Sequence, residues 1–433
     1  MRVLVLSMVP SRDWDIDAQI CAELKALGHI PILRKYLQDG RDAVVIERPD
    51  LVLVPPVRCP YTRDFATRCK QWGMKVVARR SEAGVSHAMY EKLDRDARIN
   101  QIGRYDYNDC IDMELVWGRE FAEILVAEEK VEGSKVRIIG GISLDRYLDR
   151  YAERLKTLVG TRKAFFEQTG FDPKKKTLLW ACGFKFADIN PDYNLPEAMP
   201  GDPIHRKLYD RDMDSRQHWL RAMKQLWPRY KDRFNFLVRP HPGEIHAQYA
   251  SQLPLEMRID TNASVAQAIY FCDVLIHAGS TLAVDAHVLG KPALSFYGCA
   301  DDDLIGNVSP RCSTVTGLSR LLDSLILGRS NASIDSLHDL EPFYGPIDGK
   351  ACKRVARAVH EFSSTQFDLH IPKRWPEQEL NDYSTPGVIK LRKLPIRYCQ
   401  TCGKPFQVLD GQNRIACPHC GISTTVNKLA AIG

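Results

Sequence analysis

Two prolines flank a histidine in the segment Arg-Pro-His-Pro at 239–242. The apolar run Phe234–Val238 before it predicts a buried strand, and open α/β sheets bind ligands at the carboxyl ends of their strands. Arg239 and His241 can both donate hydrogen bonds to phosphate oxygens. Glu244 is a further candidate for contact with a nucleotide sugar. The segment therefore predicts a phosphate-binding loop. The alternative is a rigid turn with a solvent-facing histidine.

A second candidate loop is His-Ala-Gly-Ser-Thr at 277–281, which follows another predicted strand and opens a predicted helix. Gly279 lets the backbone approach a ligand, Ser280 or Thr281 can cap the helix, and amides at a helix start favour an anion. Asp285 can accept hydrogen bonds from ribose hydroxyls. Taken alone, an ordinary helix cap with an exposed aspartate explains the segment better. Together with the loop at 239–242 it predicts one pocket for a nucleotide phosphate.

A carboxylate follows a predicted strand in the first part of the chain. The turn Arg-Arg-Ser-Glu-Ala-Gly at 79–84 comes after the strand Lys75–Ala78, so Glu82 is expected at the sheet edge that faces the cleft. A carboxylate there can act as general base for an attacking hydroxyl group. The alternative is a helix cap, or a salt bridge of Glu82 with Arg79 or Arg80.

Four cysteines near the C-terminus form two C-x-x-C pairs, Cys399 with Cys402 and Cys417 with Cys420. This spacing is typical of a zinc ribbon. Four thiolates complete a tetrahedral zinc site and leave no open position, so the zinc would be structural, and it would supply much of the folding free energy of so short a segment. The alternative, a pair of redox motifs, lacks a surrounding thioredoxin-like βαβ pattern.

Composition limits the classes of function. The chain of 433 residues has a net charge of +6, which suits an anionic ligand or a membrane surface but falls short of a dedicated nucleic-acid binder. Its apolar runs are far shorter than the about 20 residues of a membrane span, and no export signal is recognisable. An odd count of 13 cysteines without such a signal argues against a disulfide framework. We expect a cytoplasmic protein, with peripheral contact at the inner membrane as an option, and the sequence leaves the oligomeric state open.

Two series of alternating strands and helices predict an α/β fold with two Rossmann-like domains. The predicted strands are Val3–Val9, Ile30–Leu33, Leu51–Pro55, Lys75–Ala78, Leu115–Gly118 and Val136–Gly141 in the first series, and Thr177–Cys182, Phe234–Val238, Val274–His277 and Ala293–Phe296 in the second. A long helix-like segment, 145–169, leads out of the first domain, and 190–214 is predicted to be a loop. The expected domains are 1–150 and 151–362, followed by a linker at 363–392 and the ribbon at 393–433.

The motifs resemble, in the order of the chain, bacterial surface-carbohydrate biosynthesis proteins and, more distantly, the Kdo- and sialic-acid-transferring capsule enzymes. The resemblance covers about residues 1–300. The matching segments are 81–84 with an acidic-Gly motif that carries the general base, 116–118 with a strand and turn, 139–145 with a Gly-Asn-Pro-Arg-Phe-Asp segment, 239–242 with a His-Pro motif that holds the nucleotide, and 280–286 with a Ser-Thr…Glu-Ala element. Three departures are Ala83 between the acid and the glycine, Gly-Ile-Ser at 141–143 in place of Asn-Pro-Arg, and Asp285 in place of glutamate.

The resemblance implies a glycosyltransferase of the GT-B type. The second domain would hold a nucleotide-sugar donor, with a CMP-linked keto-sugar acid favoured. The first would present a glycan or lipid-linked acceptor to Glu82. No Asp-x-Asp donor-metal motif is present, so no catalytic metal is expected. Two alternatives stay open: a sugar-nucleotide 2-epimerase of the same shape, and an inactive binding or scaffold protein. Basic residues near the ribbon could touch nucleic acid, although clusters this small usually form solvated surface.

Overall fold

The protein is described here from a computed structural model. The structure describes residues 1–57, 60–83, 85–92, 109–129, 131–188, 203–260, 265–296, 308–328 and 337–366, and four short strands between 396 and 425. The chain divides into two compact units, Met1–Trp375 and Pro376–Gly433.

The N-terminal half of the first unit forms a six-stranded sheet in which every pair of neighbours is parallel, in the order β2-β1-β3-β4-β5-β6. Its strands are β1 (Arg2–Ser7), β2 (Ile30–Lys35), β3 (Leu51–Val54), β4 (Lys75–Arg79), β5 (Met113–Val116) and β6 (Val136–Ile138). The helices between them are α1 (Pro10–Ala26), α2 (Tyr36–Glu47), α3 (Pro60–Gln71), α4 (His87–Lys92) and α5 (Arg119–Ala127), and a short 3₁₀ turn spans Gly133–Lys135. The central strands β1 and β3 are continuous apolar runs because helices cover both faces of such a sheet.

A second parallel sheet has the order β12-β11-β10-β7-β8-β9. Its strands are β7 (Lys176–Ala181), β8 (Phe234–Arg239), β9 (Arg258–Ile259), β10 (Val274–His277), β11 (Ala293–Phe296) and β12 (Arg311–Cys312). The helices are α8 (Pro203–Tyr230), α9 (Ala247–Ala250), α10 (Val265–Phe271), α11 (Leu282–Val288) and α12 (Val315–Ile326). This is the doubly wound order of nucleotide-binding sheets, and its direction reverses between β7 and β10.

The connection between the two sheets is not the single helix-like segment that the sequence predicts. A 3₁₀ segment, Ile142–Tyr147, comes first, followed by α6 (Asp149–Val159) and α7 (Arg162–Thr169). Gly160 separates the helices because it takes a φ of 72°, which interrupts the helical backbone. The prediction of a loop over 190–214 is also wrong in its second half, since α8 begins at Pro203. Residues 189–202 lie outside the described part of the chain.

The last helices of the first unit are α13 (Glu341–Tyr344), preceded by a 3₁₀ turn at Leu337–Leu340, and α14 (Ala351–Gln366). Helix α14 returns to the first sheet and packs against α1. The carboxylate of Asp145, from the crossover, accepts the first two amides of α14, at 3.1 Å from Ala351 and 2.7 Å from Cys352. Since α14 runs on to Gln366, the linker predicted from 363 begins inside this helix.

The apolar cores of the two sheets merge. Val5 of β1, Leu155 of α6, Leu275 of β10 and Val355 of α14 belong to one buried cluster. None of the described helices combines the length and the apolar character needed to cross a membrane.

In the second unit, the described residues form two antiparallel strand pairs. They are β13 (Ile396–Tyr398) with β14 (Pro405–Gln407), and β15 (Arg414–Ala416) with β16 (Ser423–Thr425). The four cysteines of the predicted zinc ribbon lie outside the described residues. In the sequence, each C-x-x-C pair falls between the two strands of one hairpin.

Candidate functional site

Both predicted loops of the second domain reach the same edge of its sheet. Strands β8 and β10 flank β7 and run parallel to it, so the segments 240–246 and 278–281 emerge beside the β7 loop, 182–188. With strands about 4.8 Å apart, His241 and Ser280 begin from positions separated by about 10 Å. The β7 and β10 loops are in close contact, since a Cβ on Gly183 would lie 3.2 Å from the carbonyl oxygen of Ala278. The two loops therefore lie at the same edge of the sheet, and a shared phosphate pocket stays a prediction.

His241 is held in one orientation by its own loop. Its backbone amide donates to Oε2 of Glu244 at 2.8 Å, and its Nδ1 accepts the amide of Gly243 at 3.1 Å. Burial, together with the positive charges of Lys185 and Arg12, lowers the pKa of His241 to about 3. At neutral pH the ring is uncharged, and because Nδ1 accepts a hydrogen bond, the proton is assigned to Nε2. His241 is thus a hydrogen-bond donor and a poor base.

Glu244 joins the loop after β8 to the loop after β7 through buried hydrogen bonds. It is 2% exposed, its Oε2 also accepts the amide of Phe184 at 3.3 Å, and its Oε1 accepts the hydroxyl of Tyr249. Burial raises the pKa of Glu244 to about 7, although the hydrogen bonds from Tyr249 and from the backbone of His241 oppose the shift. These contacts give Glu244 a positioning role, and its predicted direct contact with a nucleotide stays a prediction.

A buried ion pair supports the same loops. Nη1 of Arg216 lies 2.6 Å from Oδ2 of Asp188, and this carboxylate oxygen also accepts the amide of Ile245 at 2.7 Å. The sequence pattern did not indicate either residue, because Arg216 lies within the long helix α8 and Asp188 in a loop. Only their contact shows that α8 fixes the loop after β8.

Arg239 points along the sheet edge toward β9. Its side chain is buried, and its Nη1 lies 2.6 Å from Oδ2 of Asp260, the residue that follows β9. One nitrogen of the guanidinium is therefore committed to a carboxylate. The predicted contact of Arg239 with phosphate stays a prediction.

The loop after β10 is organised by a histidine that the sequence had not singled out. His277 is fully buried, its Nδ1 accepts the amide of Ser280 at 3.1 Å, and its Nε2 lies 2.9 Å from Oγ of Ser309. Burial lowers the pKa of His277 to about 3. Gly279 adopts a φ of 70°, so the glycine is required by the turn itself.

The amides at the start of α11 are largely used inside the loop. The amide of Leu282 donates to Oγ of Ser280 at 3.3 Å, and the amide of Ala283 donates to the carbonyl oxygen of Ser280 at 3.1 Å. The amide of Val284 donates to the carbonyl oxygen of Thr281, and the Thr281 side chain makes no capping hydrogen bond. The tight turn therefore satisfies most of the amides that were expected to favour an anion here. Contacts of Ser280 and Thr281 with a nucleotide stay predictions that depend on their hydroxyl groups.

Asp285 is not the exposed residue that an ordinary helix cap would leave. It is 6% exposed, and burial raises its pKa, while the charge of Arg146 opposes that rise. Asp285 lies on α11, which contacts the 3₁₀ segment that connects the two sheets. The predicted hydrogen bonds of Asp285 to a ribose stay a prediction.

Glu82 of the first domain has an ion-pair partner far away in sequence. Nη1 of Arg12, at the start of α1, lies 2.6 Å from its Oε1, and Nη2 of Arg12 donates to Oγ of Ser81 at 3.0 Å. The alternative of a salt bridge with the neighbouring arginines is wrong: Arg79 is buried against Asp17 at 2.5 Å, and Arg80 against Glu114 at 2.8 Å.

Arg12 and Glu82 face the loop of the second domain. Both lie close enough to His241 to shift its pKa, Arg12 downward and Glu82 upward. Since Lys185 and Arg12 also act on the ring, the neutral imidazole lies near cationic side chains and the carboxylate of Glu82. Such a site suits a phosphate on one side and a general base on the other. No local pattern could have identified Arg12, because its role depends on a contact across 70 residues.

No family model matches the sequence, and no curated protein is similar to it in sequence. Solved structures do resemble the fold. A UDP-GlcNAc 2-epimerase from Neisseria meningitidis, bound to UDP-GlcNAc, aligns with a TM-score of 0.55 and 12% identity over 83% of this chain and 100% of the epimerase. The MnaA–UDP co-structure from S. aureus aligns at 0.53 and 12% over 84% and 97%. A variant of the wall teichoic acid polymerase TagF aligns at 0.53 and 12% over 83% and 88%. At these identities the likenesses show the GT-B fold of two parallel α/β domains.

Proposed function

We propose that this chain is a metal-independent GT-B enzyme that transfers a sugar from a nucleotide-activated donor to an acceptor hydroxyl. The observation that carries the proposal is the pairing of a neutral, oriented His241 in the second domain with the Arg12–Glu82 ion pair of the first. One side offers a hydrogen-bond donor to a leaving phosphate and the other offers a carboxylate to an incoming hydroxyl.

The donor side would act mainly through electrostatics. The phosphate of the donor would accept a hydrogen bond from Nε2 of His241 and lie near Lys185 and Arg12, with the hydroxyl of Ser280 at the neighbouring loop. As the bond between the anomeric carbon and the phosphate oxygen breaks, its electron pair stays with the phosphate. A preformed hydrogen-bond donor and fixed cations stabilise the charge that grows there.

The acceptor side would supply the base. The acceptor oxygen forms the new bond to the anomeric carbon, and its proton passes to the carboxylate of Glu82. Because Arg12 already contacts Glu82, a negatively charged donor phosphate would compete for the same guanidinium. Donor binding would therefore leave the carboxylate more available as a base.

The substrate class follows from the resemblance and the neighbours. The epimerase and MnaA structures hold UDP-GlcNAc and UDP, which supports a nucleotide sugar as ligand. The resemblance to capsule enzymes makes a CMP-linked keto-sugar acid the first donor to test, with a surface glycan or a lipid-linked molecule as acceptor. A lipid-linked acceptor would bring this basic chain, of net charge +6, to the inner membrane surface.

Epimerisation at C2 of the donor sugar is the second candidate. Arg12 contacts two carboxylates: besides Glu82, its Nε lies 2.7 Å from Oδ1 of Asp13. Two carboxylates could share the proton transfers that an epimerase needs, which the sequence pattern had not suggested. NMR of a donor incubated without acceptor separates the two: inversion at C2 supports the epimerase, whereas an unchanged sugar supports the transferase.

For the C-terminal unit we propose a structural zinc ion held by Cys399, Cys402, Cys417 and Cys420. Two hairpins with a C-x-x-C pair between the strands of each fit this assignment. Bound zinc would stabilise the fold of this unit, and no step of the reaction involves it.

A ligand screen followed by two variants tests the function. CMP-, UDP-, GDP- and CDP-linked sugars are compared by thermal shift, since a ligand that binds only the folded state raises the melting temperature. His241→Ala should abolish the shift. Glu82→Gln should keep the shift but lose transfer by about 100-fold or more. Failure of every nucleotide to bind would refute the proposal, and full activity of Glu82→Gln would remove Glu82 from it.

A further inference from the structure

The turn that carries Glu82 is anchored by a tryptophan from the neighbouring strand of the first sheet. Trp117 directly follows β5, and its Nε1 donates to the carbonyl oxygen of Arg80 at 3.0 Å, two residues before Glu82. The amide of Arg80 donates to the carbonyl oxygen of Leu115, also at 3.0 Å. Both polar groups of the Arg80 main chain are therefore held by the segment 115–117.

The side chain of Arg80 is held from the same strand. It is buried, its Nε lies 2.8 Å from Oε1 of Glu114 on β5, and its guanidinium lies 4.7 Å from the ring centre of Phe121 on α5. The side chain of Glu82, by contrast, is 48% exposed and pairs with Arg12. The position of Glu82 thus depends on the buried residues that precede it in the chain.

Trp117 is itself packed tightly on the side away from Arg80. It is buried, and its ring centre lies 5.7 Å from that of Tyr344 on α13. Its carbonyl oxygen accepts the amide of Gly140 at 3.0 Å, and a Cβ on Gly345 would overlap the same oxygen. Main chain therefore packs directly against main chain here, which makes Trp117 a rigid support for the turn.

The hydrogen bond from Trp117 restrains the peptide unit that leads toward Glu82. Because this unit is planar, the direction of the Arg80 carbonyl sets the path of the chain into Ser81. Loss of the indole N–H would remove the restraint, and the peptide unit could rotate. Displacement of a reacting group by about 1 Å can slow a reaction by about 100-fold. The indole N–H can therefore influence a reaction at Glu82 without contact with any substrate.

We infer that Trp117 is a positioning residue, whose indole N–H fixes the turn 80–82 so that the carboxylate of Glu82 meets the acceptor hydroxyl. The inference rests on the proposed function, in which Glu82 is the base. It gives a role to the segment 116–118, for which the resemblance implied only a strand and a turn.

The test compares four variants of the full chain with the wild type: Trp117→Phe, Glu82→Gln, the double variant, and Trp219→Phe as control. Trp219 is a matched residue in the second domain. It is also buried, and its Nε1 donates to a main-chain carbonyl oxygen, that of Phe296, at 3.1 Å.

UDP-GlcNAc and CMP-linked sialic acid are the probes. Calorimetry measures their affinity, and the release of UDP or CMP with water as the acceptor gives kcat and KM. In this assay the water oxygen bonds to the anomeric carbon, and its proton passes to Glu82. The nucleotide leaves with the electron pair of the broken bond.

We expect Trp117→Phe and Trp219→Phe to show similar drops in melting temperature, because each loses one buried hydrogen bond. Only Trp117→Phe should lower kcat, by roughly 10- to 100-fold, while donor affinity stays unchanged. In the Glu82→Gln background, Trp117→Phe should lower kcat no further, because both changes affect the same group.

Three results overturn the inference. They are an unchanged kcat in Trp117→Phe, a loss of donor affinity as large as the loss of kcat, or an equal fall of kcat in the wild-type and Glu82→Gln backgrounds. If Trp117→Phe does not fold, Glu114→Gln takes its place. It weakens the other anchor of Arg80, so it should slow turnover without weakening donor binding.

A failure of the proposed function gives a different pattern. Full activity of Glu82→Gln would remove the base itself, whereas full activity of Trp117→Phe beside an inactive Glu82→Gln would remove only the role of Trp117. If the wild type turns over neither donor, the proposed function and this inference both fail.

Discussion

The backbone amide of His241 donates a hydrogen bond of 2.8 Å to Oε2 of Glu244, three residues later in the chain. The same oxygen accepts the amide of Phe184 from the loop after β7. One buried carboxylate thus joins two loops of the candidate donor site. The orientation of the His241 ring, with its Nε2 as donor, depends on a residue that is almost inaccessible to solvent.

Glu244→Ala should therefore lower both the stability of the protein and its affinity for nucleotide, although Glu244 has only a positioning role. The change leaves two amides and the Tyr249 hydroxyl without an acceptor, at a cost of about 1–3 kcal/mol for each unsatisfied group. Glu244→Gln keeps an oxygen for the amides and can donate to the tyrosine oxygen, so we expect near-normal stability. Urea unfolding and nucleotide titration measure both effects. An alanine variant with unchanged stability and affinity would contradict the positioning role.

A comparison of the wild type with Glu244→Gln tests the protonation of Glu244. Its pKa is raised from 4.5 to about 7, so the folded state binds the proton more tightly than the unfolded state does. The resulting stabilisation is complete below pH 4.5 and is lost as the pH rises through 7. Relative to Glu244→Gln, the wild type should lose up to about 3 kcal/mol of unfolding free energy between pH 4.5 and pH 8. A difference that does not vary with pH would refute this.

His277 should show the opposite pH dependence. Its pKa is lowered from 6.5 to about 3 by burial, so the unfolded state binds the proton more tightly. Stability from this residue is present above pH 6.5 and decreases as the pH falls toward 3. His277→Asn keeps an acceptor for the Ser280 amide but does not titrate. Between pH 7 and pH 5 the wild type should lose about 2 kcal/mol relative to this variant, and parallel stability curves would contradict the shifted pKa.

Two substitutions distinguish the roles of the two ring nitrogens of His241. His241→Asn can still accept the Gly243 amide near the Nδ1 position, but it has no donor at the position of Nε2. We expect it to fold like the wild type and to bind nucleotide about 10-fold more weakly or worse, since it removes a hydrogen bond to a charged group. His241→Gln, which can place an amide donor near Nε2, should recover part of the affinity. Equal loss in both variants would argue against donation from Nε2.

The zinc proposal predicts one zinc ion per chain by elemental analysis of the purified protein. Cys399→Ser should lose the metal, and heating with a chelator should unfold only the C-terminal unit, because its four ligands lie within 376–433. Cys21→Ser is the control, since Cys21 is a free thiol of the first domain. Zinc retained after substitution of a C-x-x-C cysteine would count against the proposed ligand set.

Local patterns in the sequence determined the strands of this protein and the loops that follow them at the sheet edge. Apolar runs predicted ten of the strands to within a few residues, and the alternation of strand and helix predicted two parallel sheets, because burial on both faces leaves a continuous apolar run. The position of Arg239–Pro242 and of 277–281 at strand ends followed from the same patterns.

Only the tertiary structure decided which side chains meet there. The pairing of Arg12 with Glu82, the support of Ile245 by Asp188 and Arg216, and the capping of α14 by Asp145 all join residues distant in the chain. Such contacts leave no periodic signal, since each partner obeys only the pattern of its own element. The burial of Asp285 has the same origin: its exposure is set by the crossover packed against α11, which a single helix cannot reveal.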